Sequence, residues 1–162
     1  MDTQLWESEI GALLSELSAT QSELLGLLKE KRRLLVASDV PGLQALTARE
    51  EAVVERLQTC QDLRARLLAK AAEQQLPGDS IRALAKAMPA SARKELLSQV
   101  EDASRRFRLL EHHSLANWVL IQRSLLHLSQ LIEMIATGGR RRPTYGNAPT
   151  CHSSGSLVDR AA

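Results

Sequence analysis

The chain has 162 residues and a formal net charge of +2, from 21 Lys and Arg against 19 Asp and Glu. Only 2% of its residues are aromatic, while 44% are hydrophobic and 25% charged. This excludes a broad globular core built on aromatic anchors, and the interleaved, nearly balanced charge excludes a strongly basic nucleic-acid surface. The apolar residues are mostly Leu and Ala. Together with Glu, Arg, Gln and Lys they are strong helix formers, and β-branched residues are scarce, so the expected class is all-α.

The first helix is expected over residues 3–36. Ile10, Leu13, Leu17, Thr20, Leu24, Leu27, Lys31 and Leu34 follow alternating steps of three and four, the heptad seam. A second row, Leu14, Gln21, Leu28 and Leu35, runs beside it. Two adjacent rows make a stripe wide enough to touch two neighbouring helices. The helix breaks at Ala37-Ser38-Asp39-Val40-Pro41-Gly42. The Asp39 carboxylate can accept bonds from free backbone N–H groups of the next helix, and Pro41 suits its first turn.

The second helix is expected over residues 40–75, with Leu43, Leu46, Val53, Leu57, Cys60 and Leu67 as its seam. The short turn predicts antiparallel packing on the first helix. Pro77-Gly78-Asp79-Ser80 stops one helix and caps a short one over residues 80–87, ahead of Pro89.

The last helix is expected over residues 91–137, about 70 Å at 1.5 Å per residue. Leu96, Val100, Ala103, Phe107, Leu110, Ser114, Asn117 and Ile121 form its seam. Leu125, Leu128, Ile132 and Ile135 continue the seam after a one-residue phase slip. Gly138-Gly139 ends the helix. The architecture predicted is an antiparallel three-helix coiled-coil bundle of long helices over residues 1–137. A flexible tail over residues 138–162, rich in Gly, Pro, Ser and Thr, is expected to be disordered.

The residue patterns predict no catalytic site, metal or cofactor, and hence no enzyme. His112 and His113 are adjacent, so on a helix they diverge by about 100° and cannot share a metal. Glu111 lacks a histidine three residues on, so the di-iron motif fails. Cys151-His152 lacks the further ligands of a zinc site, and no phosphate-binding or nucleophile-elbow motif occurs. Cys60 and Cys151 read as reduced thiols. No basic stretch followed by an apolar run follows Met1, and Gln122, Arg123, His127, Gln130 and Glu133 interrupt the most apolar window. The expectation is a cytoplasmic protein without stable membrane insertion. Arg140, Arg141 and Arg142 would give weak, salt-sensitive attraction to phosphates and serve more simply as a solubilising end; no nucleic-acid partner is expected.

Three features point to binding. Apolar pairs such as Leu125/Leu126 and Leu131/Ile132 exceed what three helices cover, so Asn117, Leu120, Leu125, Leu128, Leu131, Ile132 and Ile135 are the candidate face for a partner's amphipathic helix. Ser114 and Asn117 place polar groups on the seam, where they fix register; Asn117 is the one that would also bond a partner backbone. Tyr145, in Pro143-Thr144-Tyr145-Gly146, is an aromatic with no core to serve and suggests a short docking motif.

Three segments carry a family resemblance: Ser38-Asp39-Val40-Pro41-Gly42-Leu43-Gln44-Ala45-Leu46 followed by Glu50-Glu51, Asn117 followed by Val119-Leu120, and Thr144-Tyr145-Gly146. On these the chain resembles the FlgN-type flagellar export chaperones. The resemblance implies a cytoplasmic chaperone that binds the C-terminal helical segment of hook–filament junction proteins, prevents premature assembly and delivers them to the export gate. It also implies that Tyr145 docks on the cytoplasmic domain of the gate. The alternative left open is a coiled-coil scaffold, a homodimer without a client.

Overall fold

The computed structural model describes residues 3–138. Among them every regular element is a helix: α1 (Thr3–Ala37), α2 (Val40–Glu73), α3 (Ile81–Ala87) and α4 (Ala90–Thr137). The chain is therefore all-α, a helical bundle. It divides after Asn117 into two units. Unit 1 contains α1, α2, α3 and the first part of α4; the rest of α4 belongs to unit 2.

In unit 1, α1 and α2 form an antiparallel hairpin. As the α1 residue number falls, its α2 partner rises: Lys31 with Glu50 at 2.7 Å, Glu23 with Arg56 at 2.6 Å, Glu9 with Lys70 at 2.7 Å. Trp6 Nε1 donates to Gln74 Oε1 at 3.2 Å, and Lys70 Nζ lies 5.0 Å from the Trp6 ring centroid. Exposed pairs of this kind contribute about 0.2–1 kcal/mol each. They select register, while the energy comes from the burial of Ile10, Leu13, Leu27, Leu34, Leu46 and Val53 between the helices.

Both hairpin helices end in the same way. The amide of Asp39 donates to the Leu34 carbonyl and that of Ser38 to Leu35; Leu76 and Gln75 repeat the pattern on Ala71 and Ala72. These paired bonds satisfy two of the last free carbonyls of each helix, and they hold Ser38 and Gln75 at left-handed φ values of 55° and 61°. The left-handed Gln75 stops α2 at Glu73, two residues before the end that periodicity alone suggests. Asp39 then caps α2, with its Oδ1 accepting from the Gly42 amide at 2.9 Å. A Cβ on Gly42 would stand 2.6 Å from the Asp39 carboxylate and 2.8 Å from Leu34, so a larger residue there would push the capping carboxylate and the Leu34 side chain aside. Asp39→Ala should cost about 1 kcal/mol, seen as a lower denaturant midpoint at unchanged slope. An unshifted midpoint would mean the cap contributes nothing.

The short α3 has seven residues, too few to be stable alone. It forms because Ile81, Leu84 and Ala85 are buried, in one cluster with Trp6, Ile10 and Met88. Ser80 Oγ accepts from the Ala83 amide at 3.1 Å and starts the helix. The Arg93 guanidinium donates to the Met88 carbonyl at 2.9 and 3.0 Å, tying the end of this segment to the start of α4.

Two bonds join α4 to α1 with both helices running the same way: Gln21 Nε2 to the Ala103 carbonyl at 3.2 Å, and Asn117 Nδ2 to the Leu28 carbonyl at 2.8 Å. Here the structure corrects the expected seam. The row Leu96, Ala103, Leu110 and Asn117, spaced by seven, is buried. Of the alternate row only Val100 is; Phe107 is 55% exposed and Ser114 is exposed. The buried polar residues are consequently Thr20, Gln21 and Asn117, and Ser114 is not among them. The physical reason is that α4 makes one-row contact, whereas a full two-row seam needs a partner facing both rows.

Candidate functional site

In unit 2 the helix carries the candidate face. At about 100° per residue, Leu120, Leu125, Leu128, Leu131, Ile132 and Ile135 fall within an arc of about 140°. Leu120 is half-buried, and the other five are exposed, from 38% at Leu131 to 64% at Ile135. An exposed leucine alone means little; a contiguous run on one arc is the signature of a partner surface. The hydroxyls of Ser124 and Thr137 donate to the carbonyls of Leu120 and Glu133 at 3.0 and 2.7 Å, which removes two polar groups from competition for water.

Trp118, Leu126 and Met134 are also exposed, at 58%, 64% and 51%. They lie outside the predicted arc: the sequence reading names Leu126 only as half of an apolar pair, and it passes over Trp118 and Met134 because it follows the seam. The adjacent pair Leu125/Leu126 carried the signal for Leu126: neighbours on a helix point about 100° apart, so the two cannot share one row.

Asn117 stands apart from the other six candidates. It belongs to unit 1, is 3% exposed, and spends its amide N–H on the Leu28 carbonyl. In this arrangement it fixes the register of α4 against α1. Its Oδ1 and the Oε1 of Gln21 are buried without a protein partner, a cost that a purely apolar layer would avoid and that a register-setting layer accepts. Tyr145, Cys151 and His152 lie outside the described residues.

Burial, then the nearby Glu16 carboxylate, pushes the Cys60 thiol above its ordinary range. It is a buried free cysteine in the core, a poor nucleophile. Hydrogen bonding to Arg56, reinforced by its charge, holds the Glu16 carboxyl below the usual range. These are the signs of a structural ion pair on an exposed hairpin face. The His112 and His113 rings meet edge to face with centroids 5.8 Å apart. Among the described residues no group of three or more His, Cys, Asp or Glu is placed to hold a metal ion, and no helix is long and apolar enough to cross a membrane.

The chemistry of the α4 face is that of aliphatic side chains on a regular helix, without acids, bases or nucleophiles converging on a point. A family model described as FlgN protein matches residues 1–150. No curated protein and no solved structure matches the chain.

Proposed function

Because the chain belongs to the FlgN family of flagellar export chaperones, we propose that it binds the C-terminal helical segment of a hook–filament junction protein, prevents its premature assembly and delivers it to the export gate. The observation that carries this reading is the run of exposed aliphatic side chains from Leu125 to Ile135. A client helix that pairs with other subunits in a filament has an apolar face that must be hidden in the cytoplasm. Covering it is worth about 25 cal/mol per Å² of apolar surface. Ordering a disordered client offsets part of that gain, keeping affinity moderate and release feasible.

Tyr145 is assigned to docking on the cytoplasmic domain of the gate. Tyr145→Ala should leave client affinity within about twofold and reduce export of the junction protein about tenfold or more. A loss of client affinity would place Tyr145 in the client site instead.

Calorimetric titration of the full chain with a junction-protein C-terminal segment tests the client reading directly. Saturable one-to-one binding is expected; absence of heat and of complex on size exclusion would end it. The same exposed run supports a second reading, a homodimer formed through unit 2. Light scattering on the purified chain distinguishes the two. A stable dimer whose mass persists when the client segment is added favours the dimer.

A further inference from the structure

We propose that unit 1 carries a second docking site, independent of the α4 face, which takes an amphipathic helix of a partner protein bearing carboxylates along its edges. The site is an open groove of about 690 Å³ with α1 as its floor, α2 and α4 as its walls and the start of α3 at one end. Leu14 and Leu17 form the floor; Leu57 on one wall and Val100 and Phe107 on the other complete the apolar lining. From Val100 to Glu111 the α4 wall runs roughly 16 Å, about three turns of helix. A partner helix laid there would meet three or four of its own apolar side chains.

The groove exists because two seams are half used. On α4 the buried row is Leu96, Ala103, Leu110 and Asn117; of the other row Phe107 is exposed and opens on the groove, which the buried Val100 also lines. On α2 the buried members are Val53 and Cys60, and the alternate pair, Leu57 and Arg64, also lines it. Each wall therefore offers the face that a coiled-coil partner would occupy. The Gln21–Ala103 bond crosses the floor and ties α4 to α1 there. The position is that of a fourth helix in a bundle.

Charge selects the occupant. Arg64, Arg82 and Arg108 line the groove against a single carboxylate, Glu111. Arg82 faces Glu101 at 3.8 Å, whereas among the described residues Arg64 and Arg108 form no ion pair. Two free guanidiniums, one on each wall, call for acidic residues on both edges of the incoming helix. A second copy of this chain fits poorly. The exposed α4 segment 118–137 carries only Arg123 and Glu133 as full charges, so it brings no acidic excess.

The test uses the full chain and a designed peptide of about 18 residues, roughly five turns, with a leucine face and glutamate along both edges. Its twin carries lysine in place of glutamate. By fluorescence anisotropy the glutamate peptide should bind at least about tenfold tighter, with the margin shrinking as salt rises. Arg64→Glu with Arg108→Glu, both at exposed positions, should reverse the order, and Phe107→Asp should weaken both peptides. Methyl signals of Leu57 and Val100 should move on binding. Equal affinities, an order that survives charge reversal, no binding, or shifts confined to Leu125–Ile135 would each overturn the proposal. So would a dimer of the chain that the same charge reversal dissolves, since the groove would then hold a second copy. The peptides contain no flagellar sequence, and Leu128→Asp with Ile132→Asp should leave their ranking unchanged. Failure here would therefore leave the client reading untouched, and the converse also holds.

Discussion

Replacing Leu128 and Ile132 together by aspartate should weaken client binding about a thousandfold while leaving the helical content intact. The side chains are 53% and 58% exposed, so neither contributes much to folding. Substitutions at such positions usually change stability by about 0.5 kcal/mol or less, with aspartate's lower helix propensity adding a few tenths each. In a complex the same two positions lose their water. Burying a carboxylate without a partner costs at least about 2 kcal/mol, so two cost about 4 kcal/mol, which is about three decades in affinity. Circular dichroism and calorimetric titration on the same preparations check both halves. Retained affinity would move the client site elsewhere. Loss of the helical signal would show that these side chains pack inside the molecule.

Leu84→Ala should have the largest effect on stability of any single change in α3. Leu84 has no exposed surface and sits in the cluster of Trp6, Ile10, Ile81, Ala85 and Met88. Truncating a buried leucine to alanine removes its transfer free energy and leaves a cavity, together about 2–5 kcal/mol. A midrange value lowers the melting temperature by about 10 °C for a chain of this size. Leu128→Ala, the same chemistry at an exposed position, should shift it by no more than a degree or two. If the two variants melt together, α3 is a passive connector. The contrast matters for function as well. Ser80 and Ile81 also line one end of the groove in unit 1, so α3 closes the bundle and bounds that binding surface at once.

The two proposed binding surfaces have different physical origins. The α4 face in unit 2 is apolar because its leucines and isoleucines recur on one arc, and those side chains are exposed. The groove in unit 1 is apolar because α2 and α4 each turn one heptad row inward, while Leu57 of the other α2 row and Phe107 of the other α4 row line the opening. The first is nearly neutral, with Arg123 and Glu133 as its full charges; the second carries three arginines and one glutamate. As proposed sites they would select partners by different rules, the first by apolar area and the second by area together with charge.

By itself the sequence determined the helices and much of what ends them. The heptad rows of α1, the carboxylate cap at Asp39 with Pro41 behind it, the Ser80 cap of α3 and the left-handed Gly138 after α4 are all local. A few neighbouring residues decide each of them, through backbone hydrogen bonds and side-chain period. The stop at Glu73 was less legible, because Gln75 takes a left-handed conformation that sequence assigns to glycine or asparagine. The exposed α4 face was legible in outline from its paired leucines, Leu126 among them, but Trp118 and Met134 were not. Only the tertiary structure decided that Leu96, Ala103, Leu110 and Asn117 turn inward while Phe107 and Ser114 turn out. It also decided that Asn117 bonds the Leu28 carbonyl within unit 1. A heptad has two equivalent rows, and period alone cannot rank them. The choice falls to how many helices surround each one, a property of the packed molecule and not of any window along the chain.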